Sequence, residues 1–130
     1  MSEELALAAR RHEQRTGTPV KLSLSPLPSS APLSLKICIY RFVQESLNNA
    51  YRHANGQGQT IIASHNNGLL TVQVKDAGPG IPEQAMTIEA DGNTRLGLAG
   101  LRYRVESLGG LFYIDSAPGR GTTIMAQFKL

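Results

Sequence analysis

Two short clusters in this 130-residue chain hold side chains able to do chemistry. In the first, Arg41, Glu45, Asn49 and His53 recur every fourth residue, with Asn48 and Arg52 beside them. On a helix that spacing stacks the four on one face. A carboxylate and an amide oxygen one turn apart are hard oxygen donors. Mg²⁺ takes one or two such ligands and fills the rest of its shell with water and phosphate oxygens. The plain alternative is a solvated helix face carrying an Arg41–Glu45 ion pair worth about 0.3–0.5 kcal/mol. Asn is a poor helix-interior residue, because its side chain competes for backbone bonds. The Asn48-Asn49 pair is therefore an anomaly on that alternative. A zinc site is not indicated, since no two His stand at i, i+4 and His12, His53 and His65 fall in separate segments. No serine sits in a nucleophile elbow.

The second cluster is Asp76-Ala77-Gly78-Pro79-Gly80. A carboxylate fixed at a strand end accepts well from an exocyclic amine, which is what reading adenine requires. The glycines permit close approach of backbone to a ligand. The same residues also make an ordinary surface turn. Further on, Gly97-Leu98-Ala99-Gly100 opens a helix. Free N–H groups and the positive end of the dipole suit phosphate there, although a flexible loop and cap would read the same way. Neither glycine run is a P-loop or a dinucleotide fingerprint, for want of Gly-Lys-Ser/Thr and of the strand–turn–helix context.

The elements that must position these residues can be read from periodicity. Residues 2–15 are expected to form a helix stopped by Thr16-Gly17-Thr18-Pro19, and residues 20–24 alternate like a half-buried strand. Residues 25–32 are rich in Pro and Ser and read as a loop. Residues 34–54 give the strongest helix, with Leu35, Cys38, Ile39, Phe42, Val43, Ser46, Leu47 and Ala50 in one stripe. Residues 59–65 and 69–75 are strand-like around the hairpin signal Asn66-Asn67-Gly68. Residues 78–93 read as loop with a short helix near 83–86. Residues 98–108 read as a helix with Leu98, Leu101, Val105 and Leu108 on one side, ended by Gly109-Gly110. Residues 111–116 and 122–130 are two more strands. The outline predicts an α/β (α+β) two-layer sandwich, one mixed, mainly antiparallel sheet with helices on one face.

Bulk properties narrow the class. An apolar fraction of 41% supports a core in a single domain. There is no apolar run of about 18 residues and no signal peptide. Cys38 has no partner for a disulfide and reads as a core residue, so a reducing, cytoplasmic setting is expected. A net charge of +3 suits a polyanionic ligand but is too mild and too dispersed for nucleic acid, and the few aromatics form no stacking platform.

Taken in order, four segments resemble a known family. Gln44-Glu45-Ser46-Leu47-Asn48-Asn49-Ala50-Tyr51-Arg52-His53-Ala54, Asp76-Ala77-Gly78-Pro79-Gly80-Ile81, Gly97-Leu98-Ala99-Gly100-Leu101 and Gly119-Arg120-Gly121-Thr122-Thr123 look like the N, G1 and G2 boxes and closing Gly-Thr of the ATP-binding domain of sensor histidine kinases. That superfamily includes gyrase, heat-shock chaperone and mismatch-repair ATPases. The run 97–105 and the segment Arg15-Thr16-Gly17-Thr18-Pro19-Val20 are similar to the nitrate-sensor and membrane-fluidity-sensor subgroup. Leu101 stands where that subgroup commonly has Met, and Tyr103 where it often has Glu.

The resemblance implies a Bergerat-type fold that binds ATP and Mg²⁺. Asn49 would ligate the metal, and Glu45 would be a second metal-shell or base residue. Asp76 would accept from the adenine amine, helped by a water near Thr122. Gly78, Gly80 and Ile81 would line the purine, and Gly97, Leu98, Gly100 and Leu101 the phosphate end. Arg52 and His53 would neighbour the phosphates, and a short lid over 82–96 would close the site. Residues 1–16 are expected to be a linker helix entering a catalytic domain at 17–130, with His12 a surface residue. The implied partners are a histidine-bearing dimerisation domain and a downstream response regulator. No nucleic acid and no membrane contact by this segment are expected. No dimerising hairpin accompanies the four boxes, so ATP binding without self-phosphorylation is expected, either as the catalytic domain of a longer kinase that other segments could anchor to a membrane or as a gene product working in trans. A stand-alone anti-sigma-factor serine kinase and a non-catalytic ATP-binding module are the rival readings.

Overall fold

The computed structural model describes residues 1–54, 57–78, 98–116 and 121–130, with His53 and Ala54 described by backbone only. The expected short helix at 83–86, the lid, and Gly80, Ile81 and Gly97 lie outside the described residues.

Helix α1 (Ser2–Thr16) places Glu3 and Glu4 in its first turn and Arg15 in its last, which complements the helix dipole. It ends as Gly17 turns left-handed and donates its N–H to the Glu13 carbonyl at 2.8 Å. Strand β1 (Lys21–Leu24) follows, then the long helix α2 (Leu33–Ala54). Strands β2 (Thr60–Asn66) and β3 (Leu69–Asp76) form a hairpin through Asn67 and Gly68, both at positive φ as a two-residue primed turn demands. Helix α3 (Leu98–Ser107), β4 (Leu111–Ser116) and β5 (Thr122–Lys129) complete the fold.

The five strands form one sheet in the order β1-β2-β3-β5-β4. β1 runs parallel to β2, and the other three pairings are antiparallel. Register lines up Ile61, Val74, Ile124 and Ile114 in one row and Ala63, Val72, Ala126 and Phe112 in the next. These rows face the helices, and all but Ile114 are buried. The alternate row of Ile62, Gln73, Met125 and Tyr113 is only partly covered or exposed. This is the period-2 signature of a sheet packed on one side. The predicted two-layer sandwich is therefore what forms.

The whole predicted stripe of α2, from Leu35 to Ala50, is buried. α2 packs on β3, with α1 beside it toward β1 and α3 beside it toward β4. Burial pushes the Cys38 thiol above its ordinary range, as suits a core residue. No helix among the described residues is long and apolar enough to cross a membrane.

Three expectations need correction. β1 is not half-buried: Lys21, Leu22 and Ser23 are exposed and Leu24 is only partly covered, because β1 is an edge strand that α1 barely overlies. Leu108 is 42% exposed, because α3 ends one residue earlier and the chain swings outward there. His12 is not a surface residue but is 2% exposed. With Leu5, Ala8 and Ala9 it forms the i, i+3, i+4, i+7 stripe that α1 lays against α2, a pattern already present in the sequence.

Candidate functional site

The purine-end candidate sits where β3 stops. Asp76 ends the strand and pairs in register with Thr122 at the start of β5. Its Oδ1 accepts the Gly78 N–H at 3.0 Å, an Asx turn that fixes the carboxylate's direction. Next to it, the Ala77 N–H donates to the Gln57 carbonyl at 2.8 Å. Two glycines press on this turn from opposite neighbours. A Cβ on Gly58 would lie 2.6 Å from the Ala77 Cβ, and one on Gly121 would lie 2.2 Å from the Asp76 carbonyl oxygen. Both glycines also have positive φ, so an L side chain is excluded twice over. Thr122 is buried, and its hydroxyl shares a 2.9 Å hydrogen bond with Ser116. Asp76, Gly78 and Thr122 thus meet at one point. Gly58 and Ser116 belong to that point too, and sequence reasoning passed over them. A glycine beside a second glycine in Gly56-Gln57-Gly58 was the available signal.

The second half of the site lies on α2. Asn49 is buried at 4% exposure, and its Oδ1 accepts from the Arg52 guanidinium at 2.8 Å. Glu45 is half-buried one turn earlier. Among the described residues its carboxylate has no hydrogen bond or ion pair, and the alternative pairing with exposed Arg41 does not form. An amide oxygen and an uncommitted carboxylate on one helix face are suitable donors for a hard divalent cation. The Asn49 oxygen is available to a cation once Arg52 turns to another acceptor. The side chain of His53 lies outside the described residues.

The third part is the first turn of α3. Leu98 and Leu101 are buried and serve the core with their side chains, so any part they take in a ligand site falls to backbone N–H groups. Gly100 is exposed on the same turn, with open space where a Cβ would be. The α2 helix touches both β3 and α3, which carry the other two parts.

One contribution was not foreseen. Arg15, in the last turn of α1, bonds through its guanidinium to Asn48 Oδ1 and, at 3.2 Å, to His12 Nδ1. Arg15, Thr16, Glu45, Asn48, Tyr51 and Arg52 line a pocket of about 390 Å³. Burial holds the His12 imidazole below its ordinary pKa range, and the Arg15 charge adds to this against the pull of Gln59 and Glu13. Neutral His12 can thus serve Arg15 as an acceptor.

A one-sided sandwich with a braced carboxylate at the end of its central strand and an acid–amide helix face offers the donors and acceptors that a nucleotide-binding class needs. The chain belongs to the family described as Histidine kinase-, DNA gyrase B-, and HSP90-like ATPase, which matches residues 35–130. Within it, the chain is of the ATP-binding domain type found in sensor histidine kinases. It is 30% identical to the sensor histidine kinase LnrJ of Bacillus subtilis (strain 168) across 90% of the chain and 27% of LnrJ. It is 25% identical to the nitrate/nitrite sensor protein NarX of Escherichia coli (strain K12) across 95% of the chain and 20% of NarX. Among solved structures, the blue-light activated histidine kinase of Erythrobacter litoralis EL346 superposes with a TM-score of 0.77 at 26% identity, covering 97% of this chain and 40% of that one. The chain therefore spans well under half the length of each of these relatives.

Proposed function

We propose that the chain binds Mg-ATP and donates the γ-phosphoryl group to a histidine on a separate dimerisation hairpin, within a two-component sensor kinase that passes the signal to a response regulator. The observation carrying this reading is the Asp76 carboxylate, held at the end of β3 by the Gly78 N–H, on a turn at Asp76-Ala77 that Gly58 and Gly121 press from either side. In that position it accepts from the adenine amine, with Thr122 alongside. Asn49 and Glu45 would hold Mg²⁺, which when bound neutralises charge on the phosphate oxygens. Arg52, now on Asn49, turns to the phosphates. Positioning and charge neutralisation are most of what phosphoryl transfer asks of a protein, so few ionisable groups suffice. Residues 1–16 join the nucleotide-binding unit at 17–130 to the rest of the kinase in the cytoplasm. Because Leu5, Ala8 and Ala9 sit in the shared core, this helix moves with the unit.

Isothermal titration with ATP and Mg²⁺ tests the assignment. Wild type is expected to bind, and Asp76→Asn and Asp76→Ala to lose binding. Undiminished affinity in both variants removes Asp76 from the purine pocket.

A further inference from the structure

From the pocket between α1 and α2 we infer that Arg15 is a ligand for the terminal phosphate of the nucleotide, supplied from outside the segment matched to the family. The inference rests on the ATP reading above and adds a residue to it.

The pocket carries two guanidinium groups, Arg15 and Arg52, against one carboxylate, Glu45. Neither arginine has an acidic partner among the described residues. Arg15 is bonded to a neutral imidazole and a neutral amide, and Arg52 to a neutral amide. Cations left with neutral partners at a pocket wall keep their charge for an incoming anion, and the planar guanidinium fork matches phosphate oxygens. The pocket is also continuous with the N-box part of the site, because Arg52 both lines it and bonds to Asn49. A phosphate chain held near Asn49 and Arg52 extends toward Arg15.

The placement of Arg15 is built rather than incidental. His12, which accepts from it, is buried between α1 and α2 and lies edge-on to Tyr51 at 6.2 Å. Asn48, the other acceptor, adjoins Asn49 in sequence. Thr16, one residue on, is tied back to the His12 carbonyl at 2.8 Å and to Thr18 at 2.7 Å, which stiffens the end of the helix. Arg15, though exposed, is thus held by two hydrogen bonds at the wall of the pocket, which lowers the ordering cost of meeting an anion there.

The experiment is titration of the chain with ATP, ADP and AMP in turn, each with Mg²⁺, for wild type, Arg15→Gln and Arg15→Lys. In Arg15→Gln, ATP affinity is expected to fall about tenfold, the loss of one charge-assisted contact, with AMP affinity unchanged. Arg15→Lys, which keeps the charge but not the fork, is expected to fall between. Equal losses for all three nucleotides would mean that Arg15 only secures α1, and would overturn the inference. So would an unchanged ATP-to-AMP ratio in Arg15→Gln. If wild type binds none of the three, the ATP reading itself falls, and this inference with it.

Discussion

Replacing Gly121 by Ala isolates the close packing that holds the Asp76 turn. The added Cβ would stand 2.2 Å from the Asp76 carbonyl oxygen, 3.1 Å from its carbonyl carbon and 3.3 Å from the Ala77 Cα. Non-bonded heavy atoms settle at roughly 3.5–4 Å, so the backbone at the end of β3 has to retreat by roughly 1 Å. A residue with a side chain at φ 77° adds its own strain. That strain is about 1–2 kcal/mol, and forced overpacking adds about 1–3 kcal/mol, giving a total near 3 kcal/mol. Gly17→Ala is the matched control: Gly17 has φ 73° with nothing within 4 Å of its Cβ position, so only the backbone strain applies. Equilibrium urea unfolding of both variants at a common m-value should separate them by about 2 kcal/mol, with Gly121→Ala the weaker. If the two variants lose the same stability to within about 0.5 kcal/mol, β3 and β5 do not approach at Asp76 as described.

Other consequences can be measured directly. Leu47 is wholly buried on the core face of α2, and Leu47→Ala should lower unfolding free energy by about 3 kcal/mol, with loss below about 1 kcal/mol contradicting its place in the core. The folded His12 imidazole binds its proton less readily than an unfolded histidine near 6.5. The unfolded chain thus takes up that proton first, so stability is complete above pH ~6.5 and falls as the pH drops below it. Thermal melts of wild type and His12→Asn from pH 8 to 5 should show a shallower acid slope in the variant, and equal slopes would refute the assignment. Asn49→Ala should bind AMP like wild type yet transfer phosphate poorly to an added hairpin domain, and unimpaired transfer would take Asn49 out of the metal shell.

The periodic elements were legible because burial on one side writes itself into sequence at spacing 3.6 or 2. Every residue predicted on the α2 stripe is buried, and β4 begins and ends where its alternation does. The position of Asp76 at the end of β3 was legible for the same reason. What sequence could not supply was contact between distant segments. Gly58 and Gly121 are 63 positions apart, and only the β2–β3–β5 register brings both against one turn. Arg15 meets Asn48 across 33 residues by the packing of two helices, and no local pattern encodes that. His12 is different: its stripe was readable, but a polar residue in a charged run drew attention to its neighbours instead.

The order of strands bears on how the chain comes into being. β3 lies at the centre of the sheet, but its second neighbour is the last of the five described strands in sequence, with Leu69 opposite Lys129 and Asp76 opposite Thr122. Such distant pairings close late, after their loop entropy has been overcome. Until β5 is made, the β3 backbone from Leu69 to Asp76 has only β2 to pair with and leaves its other edge open. That open backbone edge is a template for unwanted pairing with another nascent chain. The Asp76 turn acquires its Gly121 brace in the same final step, so a half-made chain has the long helix and the hairpin but no finished pocket for a nucleotide to stabilise.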